Sequence, residues 1–169
     1  VLDSWYSSNL SSYASKIATG GGATFCNDRQ PSTSETNLNG NGGTGGTETY
    51  YAANIRLWAN KTPSLKCVDT GDRFAISAGL ITADEVAYAG GLVGINNINY
   101  YLHTNQVYFT MTASSFISNS AAVFGVVTDG WLGNSSVNVE YGVRPVINLK
   151  SDTIFSRGNG TSSNPYIVV

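Results

Sequence analysis

Hydrophobic and polar positions change period along the chain. Leu2, Tyr6, Leu10, Tyr13 and Ile17 fall three and four residues apart, which is one face of an amphipathic helix with Asp3 or Ser4 as its cap. The Ser and Asn content gives this helix little propensity of its own, and Gly20-Gly21-Gly22 ends it. Ala23 to Cys26 reads as a short strand, and Tyr50 to Trp58 (YYAANIRLW) as a strand entering the core before a turn at Asn60 to Pro63. Thr82 and Glu85 form a capping box, Asp84 adds negative charge to the first turn and Gly90 stops the chain, so a second helix is predicted there. Beyond Gly91 the period falls to two. Val107, Phe109 and Met111 are predicted to face the core, and Tyr108, Thr110 and Thr112 to face outward. Ala121 to Val127 is nearly continuous apolar sequence, as for a central strand, and Thr128-Asp129-Gly130-Trp131 is an Asp-Gly hairpin turn. Val137, Val139 and Tyr141 then alternate with Ser136, Asn138 and Glu140, and a last strand, Tyr166 to Val169, is expected to pair near the N-terminus.

Between these elements, residues 31–49 are Ser, Thr, Asn and Gly with the run GNGGTGG. They read as a long surface loop, because they carry too little apolar surface to fold alone. A phosphate cradle is disfavoured, since no Gly-Lys-Ser/Thr ending follows. Asp28, Asp69 and Asp72 could supply oxygen ligands for calcium, but the DTGD segment is read as an Asx-type turn.

Composition narrows the function classes. The 169 residues are the size of one domain, 1–169, and only 12% are charged, with a net charge of −2. No Lys or Arg lies between Arg73 and Arg144, so neither nucleic-acid binding nor a polybasic membrane patch is expected. No window approaches a membrane-spanning apolar run, so insertion by this segment is not expected. The chain opens inside a predicted helix without the pattern of a signal peptide, which leads to the expectation of a longer, anchored protein. Cys26 and Cys67 are the two cysteines. In a polar, low-charge chain they read as one disulfide and an oxidising compartment, against the alternative of two buried thiols. With a single His, at 103, no Cys/His zinc site is expected, nor any metal or cofactor. His103 is expected to be solvated or hydrogen-bonded, and Arg144 to be a buried scaffold residue.

Residues 100–149 stand out as uncharged except for Asp129, Glu140 and Arg144, and as rich in aromatic and hydroxyl side chains. The segments LITADEVAYAGG, YFTMTASSF, AAVFGVVTDGWLGNSS and YGVRPVINLKS, with CNDR early and GNGTSSNPYIV late, resemble a family of bacterial surface-associated domains of unassigned function. That family is similar to the C-type-lectin-like fold of formylglycine-generating-type domains and of the variable proteins of diversity-generating retroelements. The resemblance to the wider fold rests on Tyr108 to Ala113 and on Gly142-Val143-Arg144-Pro145. The sequence departs from the pattern at Thr110, Thr112 and Ala113, which suits positions free to vary.

The resemblance implies an α+β, C-type-lectin-like fold with two helices, a mixed and mainly antiparallel sheet and long loops. It implies a non-enzymatic adhesin or receptor-recognition module at an extracellular or cell-surface location, bacterial or phage-encoded, that binds a protein or glycan. The expected ligand-binding positions are Tyr108, Thr110, Thr112, Ser114, Phe116, Asn119, Phe124, Val126, Trp131, Asn134, Asn138 and Glu140. Phe124 and Val126 fit a covered central strand equally well. The alternatives are an oxidase of the formylglycine-generating type, which needs a pair of late cysteines absent here, and a structural spacer. Exposure of Tyr108 and Trp131 together would favour binding over a spacer.

Overall fold

The computed structural model describes residues 1–20, 24–32, 48–67, 71, 73–161 and 163–169. Most of the loop predicted over 31–49 lies outside the described residues, as do Asp69 and Asp72. The chain is α+β, with few helices and a mainly antiparallel main sheet. In order, the elements are α1 (Leu2–Asn9), β1 (Ile17–Ala18), β2 (Phe25–Cys26), β3 (Glu48–Tyr50), α2 (Ala52–Asn54), β4 (Arg73–Phe74), β5 (Gly79–Leu80) and α3 (Ala83–Tyr88). There follow β6 (Leu92–Val93), β7 (Tyr108–Ile117), β8 (Ser120–Val126), β9 (Trp131–Ser136), β10 (Gly142–Val143), β11 (Pro145–Val146), β12 (Asn148–Leu149), β13 (Phe155–Arg157) and β14 (Ile167–Val168). The 1–169 span comprises two compact units, one of residues 1–25, 75–79 and 145–169, the other of 26–74 and 80–144.

In the first unit α1 stops at Asn9, well short of the predicted Ile17, and buries none of its residues. The Asn9 amide donates to Trp5 O (2.8 Å) and the Ser11 hydroxyl to Ser7 O (2.7 Å). Such side chains compete for backbone groups and favour helix ends. Neither Asp3 nor Ser4 caps the helix, which starts from Val1 without a side-chain cap. Past a 3-10 turn, β1 runs antiparallel to β12 with Ile17 opposite Leu149, and Ile17 is buried. The C-terminal β14 pairs with β13, Phe155 opposite Val168, where the sequence had suggested pairing near the N-terminus.

The second unit is built on a six-stranded sheet in the order β10-β7-β8-β9-β6, with β3 also pairing with β7. The ten-residue β7 is its spine. β8 lies antiparallel along one edge of β7, while the other edge is shared by β10, parallel at Tyr108 and Phe109, and β3, antiparallel from Ser115 to Ile117. The central position predicted for β8 is found, between β7 and β9. The Asp-Gly turn closes the β8–β9 hairpin: Gly130 takes φ +77°, and Trp131 N donates to Asp129 Oδ1 at 3.1 Å. β9 ends at Ser136, so the alternation of residues 137–141 is not a strand, and Val137 and Val139 are exposed.

Two further corrections concern phase and type. Residues 52–59 are helical rather than extended: α2 runs into a π-turn over Ile55–Ala59. Ala53, Asn54 and Leu57 make its buried face, two neighbours and a third residue three and four positions on, a set that a helix brings to one side and a strand would split between two faces. In β7 the period of two is present but its phase is reversed, with Tyr108, Thr110, Thr112 and Ser114 inward and Phe109, Met111 and Ala113 half-buried.

Cys26 and Cys67 form a disulfide across a sequence separation of 41, which fits an oxidising environment. Closing a loop of that size stabilises by about 3–4 kcal/mol in the chain-entropy model. Chemical denaturation with and without reductant should therefore show a loss of about that size, and coincident curves would contradict it.

Candidate functional site

Buried polar side chains need partners, and in the second unit the Thr110, Thr112 and Ser114 hydroxyls have them. Along the inner face of β7, Thr110 Oγ1 donates to Phe124 O of β8 (2.8 Å). Thr112 Oγ1 accepts from Ala83 N, the first amide of α3 (2.9 Å). Ser114 Oγ accepts from Asn54 Nδ2 of α2 (2.9 Å) and donates to Asn134 Oδ1 of β9 (2.6 Å). Each hydroxyl thus ties the spine to a different element. Thr82 and Glu85 complete the predicted capping box, with the Glu85 carboxylate accepting from Thr82 N and Thr82 Oγ1 from Glu85 N.

A second tie is ionic. Arg56, on the π-turn, makes a bidentate pair with Asp84 of α3 (Nε to Oδ1 2.8 Å, Nη2 to Oδ2 2.7 Å) and a single bond to Asp28 (2.9 Å). Burial works against the Arg56 charge, but the two carboxylates outweigh it and raise its pKa above the ordinary value. Sequence reasoning gave Asp84 a role in helix charge only; it is buried as an ion-pair partner. Its Oδ1 also accepts from Ser64 N at 2.7 Å, fixing the loop that follows the π-turn.

These frameworks decide where the twelve predicted binding residues lie. Tyr108, Thr110, Thr112, Ser114, Phe124 and Val126 are all at most 3% exposed. For Tyr108, Thr110, Thr112 and Ser114 this corrects the expectation that they are displayed, the Thr and Ser hydroxyls being engaged in the structure; for Phe124 and Val126 the reading as a covered central strand holds. Phe116 and Trp131 are half-buried, and Asn119, Asn134, Asn138 and Glu140 are exposed. The joint exposure of Tyr108 and Trp131 that would have favoured binding is absent.

Two of the remaining six come together with a residue that sequence reasoning took for core. Trp58, half-buried at the π-turn, donates from Nε1 to Asn134 Oδ1 (3.0 Å) and meets Trp131 edge-on, with ring centroids 6.1 Å apart. Asn134 Oδ1 therefore receives both the Trp58 indole and the Ser114 hydroxyl, joining the buried row to the surface. Trp131 lies across its own strand at Gly133, where an added Cβ would sit 2.1 Å from the ring. The signal for this corner was an aromatic at 58 on a helical face, masked by reading 50–58 as a strand.

Arg144 is hydrogen-bonded within the scaffold as read from the sequence, but half-buried rather than buried. Its Nη1 donates to Leu102 O, and its guanidinium stands 5.1 Å from the centre of the Tyr108 ring. The buried Tyr100 and Tyr108 hydroxyls have no hydrogen-bond partner. Burial raises the Tyr100 pKa, the Tyr108 phenol adds to the effect and Arg144 opposes it. His103 donates from Nε2 to Thr128 O at 2.9 Å. Among the described residues no group of three or more His, Cys, Asp or Glu is placed to hold a metal, and no helix is long and apolar enough to cross a membrane.

Thr112→Val keeps the shape of the side chain and removes the acceptor of Ala83 N–H. It should destabilise by about 1–3 kcal/mol in denaturant titration, whereas an unchanged midpoint would mean that the hydroxyl faces solvent.

No family model, curated protein or solved structure matches the chain. The functional reading therefore rests on the geometry of these residues.

Proposed function

We propose that the chain is a ligand-recognition module of the adhesin or receptor-binding kind, on a lectin-like α+β scaffold, serving at a cell surface. The observation that carries this reading is the Trp58–Trp131–Asn134 corner. Two large aromatic side chains are held at the surface in one arrangement by an amide and by each other. Aromatic groups fixed in advance offer contact area at little further cost in side-chain entropy. The exposed Asn119, Asn138 and Glu140 add polar groups in neighbouring turns of the same unit. A protein or glycan is the partner class, and the disulfide supports an extracellular setting.

A retroelement-diversified origin fits this reading in a restricted form. Variation would be confined to Phe116, Asn119, Trp131, Asn134, Asn138 and Glu140, because the six covered positions serve the framework. A near-copy of the coding segment, beside a reverse-transcriptase gene and differing at adenines, should carry its differences in those six codons; differences concentrated at Thr110, Thr112 and Ser114 would contradict it.

The binding reading is tested on a printed array of glycans and peptides probed with labelled protein. Trp131→Ala and Trp58→Ala should each weaken every wild-type signal by about tenfold or more while cooperative unfolding is retained. An array that wild type leaves blank, or signals that survive both changes, would contradict it.

A further inference from the structure

A cleft of about 330 Å³ opens in the second unit, lined by Leu57, Leu92, Val93 and Ile95 together with Lys61 and Pro63. None of the Trp58–Trp131–Asn134 residues lines it. The volume is at the lower end of the range for small-molecule sites, roughly 300–1,000 Å³. Leu92 and Ile95 are exposed despite their apolar side chains, 46% and 53%.

The wall carrying Lys61 is fixed on three sides. Thr62 N donates to Arg56 O (3.0 Å), the Tyr88 hydroxyl to Pro63 O (2.9 Å) and Ser64 N to Asp84 Oδ1 (2.7 Å). Within this fixed loop Lys61 takes φ +53°, a left-handed conformation unfavourable for a long side chain and a recurrent mark of functional positions. Among the described residues Lys61 is the only charged one lining the cleft, and it has no carboxylate partner there.

We propose that this cleft binds a small amphiphilic carboxylate, its apolar body against Leu57, Leu92, Val93 and Ile95 and its head group at the Lys61 ammonium. The apolar walls select a hydrocarbon body. A single ammonium, a hydrated point charge with no second cation among the described lining residues, matches a monoanion rather than a phosphate dianion, which takes several donors.

The test is titration of the whole chain with octanoate, octylammonium and octanol, followed by methyl NMR at Leu92 and Ile95. Octanoate should bind roughly fivefold tighter than octylammonium, as for one partly exposed ion pair. Lys61→Met, which keeps the apolar stem, should abolish that preference and leave octanol binding unchanged. Equal affinities in wild type, a preference that persists in Lys61→Met, shifts that map away from Leu92 and Ile95, or no binding of any of the three would each overturn the proposal. The array result with the tryptophan variants is independent of all four outcomes.

Discussion

The second unit depends on one constraint: the Thr110, Thr112 and Ser114 hydroxyls on the inner face of β7 are out of water and must be hydrogen-bonded where they stand. An unsatisfied buried polar group costs about 1–3 kcal/mol, so Thr110, Thr112 and Ser114 specify their neighbours as firmly as a well-packed apolar row would. Thr110 sets the β8 contact, Thr112 seats the first turn of α3, and Ser114 reaches both α2 and Asn134 of β9. Because these partners lie on four elements, a change at any of the three positions would leave a buried group unpaired. A strand bound in this way is a poor place for a surface that must tolerate variation.

The Arg56 pair with Asp84 and Asp28 extends the same logic with charge. Removing one member of such a buried group typically costs about 3–5 kcal/mol, because the rest is left uncompensated. The two ties meet at the π-turn, which carries both Arg56 and Trp58. From there the structure reaches the surface in two directions, to Trp131 and Asn134 through the Trp58 indole and to Lys61 through the loop held by Asp84. Function in this account belongs to groups at the ends of the framework, positioned by it and not part of it.

Much of the fold was legible in sequence where a local rule decides. The capping box at Thr82, the Asp-Gly turn at Gly130, the central apolar strand ending at Val126 and the Cys26–Cys67 bridge each follow from chemistry a few residues wide, or from a cysteine count. The failures came where tertiary partners decide. Phe109 and Met111 are more apolar than Thr110 and Thr112, so hydropathy placed the wrong face of β7 inside; the sheet buries the hydroxyl face because other elements supply its donors and acceptors. Tyr50 to Trp58 has the composition of a strand, yet burial of the neighbours Ala53 and Asn54 together with Leu57 follows a helical face. Four of the twelve predicted binding positions, Tyr108, Thr110, Thr112 and Ser114, fell on the buried face of β7 for the same reason. Trp58 was missed with the helix, and Lys61 because a backbone angle leaves no trace in composition.

The most direct test of the buried hydroxyl row is amide hydrogen exchange at Ala83. The first amides of a helix ordinarily lack intrahelical partners and exchange quickly. Bonded to Thr112 Oγ1 beneath β7, the Ala83 amide should instead exchange only through global unfolding, as slowly as the central amides of β8. Rapid exchange at Ala83 in the folded protein would show that the hydroxyl face of β7 is open to water, and the framework described here would be wrong.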